Sequence, residues 1–203
     1  MNIKEKIAWR IKKWKRHNQE KQIPPYEEKR NIILSYKKKY QTNILVETGT
    51  FLGDTIDTLR HDFKLIISFE LSEDLAGRAA KRFEGDEHIQ IVHGDSGKAI
   101  GSYLGAIMEP CLFWLDGHYS SEFFIDSEYY ITAKGEKNTP IIEELEAILK
   151  HPVKTHVILI DDARCFNGES DYPSKKELKQ LISKLSPEHS LKVSRDIIRI
   201  VRK

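Results

Sequence analysis

The sequence predicts an α/β fold, built as a mostly parallel seven-stranded sheet with helices on both faces and a C-terminal antiparallel hairpin. Two observations support this prediction. From Asn43 onward, short apolar runs alternate with amphipathic segments of helical length, a pattern that is typical of βαβ units. Near the C-terminus, only Arg195 and Asp196 separate two strand-like runs. A connection that short joins antiparallel strands only.

Taken in chain order, the elements follow from the period of the apolar residues. Five apolar runs predict the parallel strands: Ile44–Glu47, Leu65–Leu71, Ile89–His93, Cys111–Asp116 and His156–Asp161. Helical patterns cover Ser72–Phe83, Thr139–Lys150 and Lys175–Leu185, and we expect Thr139 to cap the second of these. Leu191–Val193 and Ile197–Val201 form the closing hairpin.

Residues 1–42 are predicted to form a basic helical extension that precedes a domain spanning residues 43–203. Residues 1–40 carry 13 Lys and Arg against 4 Asp and Glu, a net charge of +9, whereas the rest carries 20 against 27, a net charge of −7. Apolar residues at helical spacing predict one helix within residues 1–22, and Pro24 and Pro25 end it. A second helix is expected over Tyr26–Tyr40.

The composition bounds the class of protein. The chain has 203 residues, of which 39% are hydrophobic, and this suits a single domain with its own core. No apolar run approaches the roughly 18–20 residues that a membrane span needs. Its two cysteines, Cys111 and Cys165, provide no disulfide framework. We therefore expect a cytoplasmic protein, whose basic extension could contact the anionic inner face of a membrane or a second copy in a homodimer.

The first predicted strand ends in a glycine-containing turn, Glu47-Thr48-Gly49-Thr50-Phe51-Leu52-Gly53. Gly49 permits a tight turn, and Gly53 opens a helix whose free N–H groups suit a carboxylate or phosphate. The second strand ends in Glu70, about 20 residues later, where a carboxylate can accept both hydroxyls of a ribose. The pairing of the turn with Glu70 predicts a nucleoside-containing cofactor, and a surface glutamate that ends a strand is the alternative.

Further acids follow the other parallel strands, at the edge where open α/β sheets bind ligands. Asp95 and Ser96 follow the third strand, where they could read an adenine. Asp116, Asp161 and Asp162 follow the fourth and fifth strands. Three converging carboxylates would favour Mg²⁺, although capping of the strand ends and a pair with Arg164 is the alternative.

His118 lies two residues beyond Asp116, on the loop at the same edge of the sheet. Because imidazole titrates near neutral pH, it is suited to taking a proton from a substrate hydroxyl. The sequence therefore suggests Asp116 and His118 as catalytic residues, with a structural or metal-shell role as the alternative for His118.

Together these stretches resemble the Rossmann-like class I S-adenosylmethionine-dependent methyltransferases, and more closely the metal-dependent small-molecule O-methyltransferases of the catechol and macrolide-sugar type. The resemblance covers Asn43 to about Lys203. It implies S-adenosyl-L-methionine and Mg²⁺ as cofactors. The implied cofactor-binding residues are Glu47, Gly49, Thr50, Gly53, Thr55, Glu70, Asp95, Ser96 and Asp116, and the implied metal ligands are Asp116, Asp161 and Asp162.

The chain departs from that pattern in two places. Catechol-type enzymes carry a lysine base three residues after the fourth-strand Asp, and here that position is Tyr119. The base therefore moves to His118 by inference, or is absent. The loop over residues 120–138 is also long and aromatic, which suggests a substrate lid. The metal model favours an acceptor with two adjacent oxygens, such as a catechol or the diol of a sugar or glycan precursor.

Other functions fit the sequence less well. A nicotinamide dehydrogenase would normally show G-x-G-x-x-G, which Gly49 to Gly53 lacks. A metal-dependent hydrolase or glycosyltransferase would explain the aspartates but not the glycine turn together with Glu70. A non-catalytic binding module that retains the cofactor fold stays open. Nucleic acid is disfavoured as a substrate, because residues 41–203 are acidic and lack an Asn-Pro-Pro-Tyr tetrapeptide.

Overall fold

A computed structural model describes residues 23–119, 122–125 and 128–203. It confirms a seven-stranded sheet with the order β3-β2-β1-β4-β7-β9-β8. The parallel strands are β1 (Ile44–Thr48), β2 (Leu65–Glu70), β3 (Ile89–His93), β4 (Cys111–Leu115) and β7 (Val157–Ile160). The predicted hairpin consists of β8 (His189–Ser194) and β9 (Ile197–Arg202), and β9 lies antiparallel to β7.

Helices cover both faces of the sheet, as the alternation of strands and helices predicts. They are α1 (Tyr26–Tyr40), α2 (Asp54–Leu59), α3 (Glu73–Arg82), α4 (Ser96–Leu104), α5 (Ile141–Lys150) and α6 (Lys175–Leu185). One hydrophobic cluster joins the sheet to α1 and α2, and a second joins it to α4, α5 and α6. None of the helices in the described part of the chain has the length and apolar character of a membrane span.

Two local features differ from the sequence prediction. Thr139 does not cap α5, because the carbonyl of Pro140 accepts the first helical hydrogen bond, from Glu144 N at 3.1 Å. Pro140 thus occupies the cap position, which leaves Thr139 one residue outside the helix. The loop after β4 also contains a two-stranded hairpin, β5 (Glu122–Ile125) and β6 (Glu128–Ile131).

The second helix of the predicted extension packs on the sheet. Ile33 of α1 is 1% exposed and belongs to the same hydrophobic cluster as α2 and the sheet. The helix predicted within residues 1–22 lies outside the described residues, so its membrane or dimer contacts stay predictions.

The turn after β1 requires glycine at position 49. Gly49 has φ = +84°, and an added Cβ would lie 2.7 Å from the backbone oxygen of Asp116, at the end of β4. Both the conformation and the close approach of the two strand ends therefore exclude a side chain. Gly77, on α3, has no neighbouring heavy atom within 4 Å of such a Cβ.

Gly49→Ala is expected to lower the free energy of unfolding by about 2 kcal/mol or more, because it combines a left-handed backbone with a steric clash. Gly77→Ala, the matched control, should raise it by about 0.5–1 kcal/mol through helix propensity. Urea denaturation of both variants measures the difference. Equal stabilities for the two variants would contradict this account of the turn.

A chain of hydrogen bonds between two buried histidines fastens β4 to the segment before β7. Cys111 N donates to Nδ1 of His156 at 3.0 Å, and Nε2 of His156 lies 2.9 Å from Nδ1 of His151. Nε2 of His151 in turn lies 3.1 Å from the carbonyl of Leu104. These partners require both rings to be neutral with a proton on Nε2. Burial, followed by the neighbouring His151, lowers the pKa of His156 from 6.5 to about 4.

This shift makes the fold sensitive to acid. As the pH falls below 6.5, the unfolded chain binds a proton on His156 that the folded chain takes up only near pH 4, so stability is lost across that window. Between about pH 7 and about pH 4.5 we expect this residue to account for a loss of about 2 kcal/mol in the free energy of unfolding.

His156→Asn, whose amide oxygen can still accept from Cys111 N, should remove that part of the pH dependence in urea denaturation. His61→Gln, at an exposed position, serves as the control and should leave it intact. A pH dependence of His156→Asn equal to that of the wild type would contradict the assignment.

Candidate active site

The main cavity lies at the carboxyl ends of the parallel strands and has a volume of about 390 Å³. This is the edge at which open α/β sheets bind ligands, and the volume is in the range of small-molecule sites. The sequence-predicted residues that line it are Gly49, Glu70, Asp95, Ser96, Asp116, His118, Asp161 and Asp162. One cavity therefore brings together eight residues from five strand ends.

Four predicted cofactor residues are not among the described residues that line the cavity: Glu47, Thr50, Gly53 and Thr55. Glu47 is 1% exposed and accepts a hydrogen bond from the Ser68 hydroxyl at 2.6 Å. Burial raises its pKa to about 8, so this carboxyl group is largely protonated at neutral pH. The hydroxyls of Thr50 and Ser68 are also hydrogen-bonded to each other at 2.6 Å. These contacts join the glycine turn to β2.

Glu70 lies in the half of the cavity that also contains Asp95 and Ser96, the predicted cofactor half. Its Oε2 accepts from Phe51 N at 2.8 Å, and its Oε1 accepts from Ser72 N at 2.9 Å. The side chain thereby ties the glycine turn to the loop after β2. Each carboxylate oxygen has a second lone pair for a ligand hydroxyl. Phe51 has φ = +50°, a left-handed conformation that aims its N–H at Glu70.

The loop after β3 continues the same half of the cavity. Asp95 caps α4 by accepting from Gly97 N at 3.0 Å. The Ser96 hydroxyl donates to the buried carboxyl group of Glu144 at 2.6 Å. Burial raises the pKa of Glu144 to about 7. Both predicted adenine contacts therefore also have structural partners within the fold.

The opposite half contains a compact group of Asp116, His118 and Asp162. One potential ligand atom from each lies within 4.8 Å of the other two. Nδ1 of His118 is 3.3 Å from Oδ1 of Asp116, and Nε2 is 3.5 Å from Oδ2 of Asp162. Burial lowers the pKa of His118, but the hydrogen bond and charge of Asp116 and the charge of Asp162 outweigh it, so the pKa is raised.

Asp161, the third predicted metal ligand, has a different partner. Its side chain is 1% exposed and forms an ion pair with Nζ of Lys29, a residue of α1. Burial raises the pKa of Asp161, as does the charge of Asp116, whereas Lys29 opposes the rise. For Lys29, burial lowers the pKa, but Asp161, Asp116 and Asp162 outweigh it and raise the pKa. The Lys29 ammonium group therefore pairs with Asp161, and the charges of Asp116 and Asp162 also favour its protonated form.

The segment after the β5–β6 hairpin lines the cavity, and the hairpin itself packs against Phe51 of the glycine turn. The Tyr130 ring packs edge-on against Phe51 with centroids 5.3 Å apart, and the Arg78 guanidinium lies 5.5 Å from the Tyr130 centroid. Lys98 of α4 forms an ion pair of 2.8 Å with Glu136, which lies on the segment after β6. This part of the long loop therefore lies beside the cofactor half.

Sequence reasoning missed Lys29 and Phe51. Lys29 is 132 residues from Asp161 and sits in a segment rich in lysine, so no spacing distinguishes it. Phe51 acts through its backbone N–H, which any residue but proline provides. Only its place between Gly49 and Gly53 pointed to it.

No protein-family model matches the chain, and no curated protein matches its sequence. Solved structures do match. An O-methyltransferase from Bacillus cereus in complex with SAH has a TM-score of 0.62 at 16% identity, over 89% of this chain and 82% of its own. The O-methyltransferase TomG from Streptomyces achromogenes in complex with SAM has a TM-score of 0.58 at 13% identity, over 89% and 81%.

The N-methyltransferase NodS from Bradyrhizobium japonicum, in complex with S-adenosyl-l-homocysteine, has a TM-score of 0.53 at 14% identity, over 89% of this chain and 88% of its own. The similar structures thus include enzymes named for methyl transfer to oxygen and one named for methyl transfer to nitrogen. At these identities the likeness concerns the fold. The chain has the Rossmann-like fold of the S-adenosylmethionine-dependent methyltransferases.

Proposed function

We propose that this protein is an S-adenosylmethionine-dependent O-methyltransferase that acts on a hydroxyl of a small molecule or of a sugar or glycan precursor. A single observation supports this proposal above others. One cavity joins a carboxylate suited to a ribose, that of Glu70, to a proton-accepting group formed by Asp116, His118 and Asp162.

The cofactor half fits S-adenosylmethionine. Glu70 is held rigidly by two backbone N–H groups and would accept the ribose hydroxyls. Because Gly49 has no Cβ, its backbone lies close to that of Asp116 just after β4. No side chain from position 49 therefore occupies the cavity there. Asp95 and Ser96 would face the adenine at the far end of the cavity.

In the acceptor half, His118 would take the proton from the acceptor hydroxyl. Asp116 and Asp162 hold its ring between them and would stabilise the imidazolium that forms. Bound S-adenosylmethionine would supply the methyl group, so that a C–O bond would form while the bond from the methyl carbon to the sulfonium sulfur breaks. The remaining contribution of the protein is to hold oxygen, carbon and sulfur in line.

The donor atoms also fit a divalent cation in part. Asp116 and Asp162 would supply two carboxylates, and Mg²⁺ is commonly bound by one or two carboxylates with water and substrate oxygens. Asp161 is engaged by Lys29 and fits this role less well. When bound, such a cation would lower the pKa of the acceptor hydroxyl, and this supports an acceptor with two adjacent oxygens.

Glu70→Ala is expected to weaken S-adenosylmethionine binding by tenfold or more, about 1.4 kcal/mol, because the ribose loses its acceptor. Calorimetric titration measures the affinity. Glu73→Ala, three residues away and exposed in the first turn of α3, should bind as the wild type does. A wild type that does not bind the cofactor would sink the proposal and favour a metal-dependent hydrolase, a glycosyltransferase or a non-catalytic binding module.

His118→Gln is expected to lower kcat about 100-fold or more, the range for loss of a general base. The calorimetric affinity for S-adenosylmethionine should change by less than about twofold, since Glu70 is intact. Turnover is measured with a catechol or sugar diol that the wild type methylates, and His61→Gln is the control. Undiminished turnover by His118→Gln would rule His118 out as the base.

A further inference from the structure

Lys29 is brought to the cavity by α1, whose position is fixed at several points. Ile33, one turn further along, is buried against the sheet. The Tyr26 hydroxyl lies 3.2 Å from Oγ1 of Thr58, and Nε of Arg30 donates to the Thr58 carbonyl at 3.0 Å. The fold itself therefore determines where the Lys29 ammonium group lies.

Both oxygens of the Asp161 carboxylate are engaged by the protein. Oδ2 contacts Nζ of Lys29, and Oδ1 accepts from Asp162 N at 2.8 Å. The Lys29 side chain is 23% exposed and the Asp161 side chain 1%, and both residues line the cavity. Asp161 thus differs from Asp116 and Asp162, which point towards His118.

The same contacts orient Asp162. This residue has φ = +53°, and its Oδ1 accepts from Nη1 of Arg164 at 2.6 Å while its Oδ2 faces His118. The hydrogen bond from Asp162 N to Asp161 holds that turn in place. A continuous series of contacts therefore leads from Lys29 through Asp161 and Asp162 to His118.

Charge explains why a cation is needed at this point. Asp116, Asp161 and Asp162 lie at neighbouring strand ends, and carboxylates gathered there repel one another or attract a divalent cation. An ammonium group fixed beside Asp161 neutralises one of the three from within the fold. The Arg164 guanidinium pairs with Oδ1 of Asp162, and Asp116 together with Oδ2 of Asp162 faces His118.

We propose that Lys29 is a positioning residue of the acceptor half: its ammonium group is a permanent counter-ion for Asp161, which withholds that carboxylate from divalent cations and fixes the turn that aims Asp162 at His118. Calling this region the acceptor half rests on the proposed methyl transfer. The predicted effect on cation binding does not depend on methyl transfer, and it can be measured without an acceptor.

The test is a calorimetric titration of the full-length chain with Mn²⁺. Lys29→Met frees a third carboxylate, so we expect it to bind Mn²⁺ roughly tenfold tighter than the wild type, because affinity follows the number of charged ligands. Lys29→Arg keeps the charge and should match the wild type. Adding Asp161→Asn to Lys29→Met should return the affinity to the wild-type level. Lys38→Met, exposed on the same helix, is the control.

Unchanged Mn²⁺ affinity in Lys29→Met, or an equal gain in Lys38→Met, would overturn the proposal. If Lys29→Met does not fold, Lys29→Gln replaces it, since the amide keeps a hydrogen-bond donor and removes the charge. Calorimetry with S-adenosylmethionine on the wild type reports separately on the proposed function. Failure of cofactor binding there leaves the Mn²⁺ result for Lys29 fully interpretable.

Discussion

The concentration of carboxylates at one edge of the sheet is the constraint on which the rest of this structure depends. Parallel strands bring their carboxyl ends to a single edge, and in this chain acids stand at or just beyond five of them. Like charges at such distances must be neutralised, hydrogen-bonded or protonated. The surroundings of each acid determine whether it is ion-paired, hydrogen-bonded or buried with a raised pKa. These differences divide the edge into regions with different chemistry.

Two buried carboxyl groups support the site from within the fold. Glu47 and Glu144 are each 1% exposed, and burial raises the pKa of both to about 8 and about 7 respectively. They act as supports beneath the glycine turn and beneath Ser96. Glu70, in contrast, accepts hydrogen bonds from two backbone N–H groups and lines the cavity. The buried acids thus support the loops of the site, whereas Glu70 lines the cavity.

The fold and the lining of the cavity could be predicted from local pattern. The period of the apolar residues marks strands and helices, and the two-residue connection at Arg195 requires an antiparallel hairpin. Parallel topology then places every strand-end acid at one edge, which predicts Glu70, Asp95 and Asp116 there. The sequence wrongly predicts Thr139 as the α5 cap, because backbone geometry decides that the Pro140 carbonyl accepts the first helical hydrogen bond.

The sequence by itself therefore determined the sheet, its ligand-binding edge and the residues with the right chemistry. Only the tertiary structure decided which partner each of them has. Asp161 and Asp162 are adjacent in sequence, yet one pairs with Lys29 from the first described helix and the other faces His118. The physical reason is range: hydrophobic periodicity acts over a few residues, whereas an ion pair depends on where the packing of α1 on the sheet places an ammonium group 132 residues away.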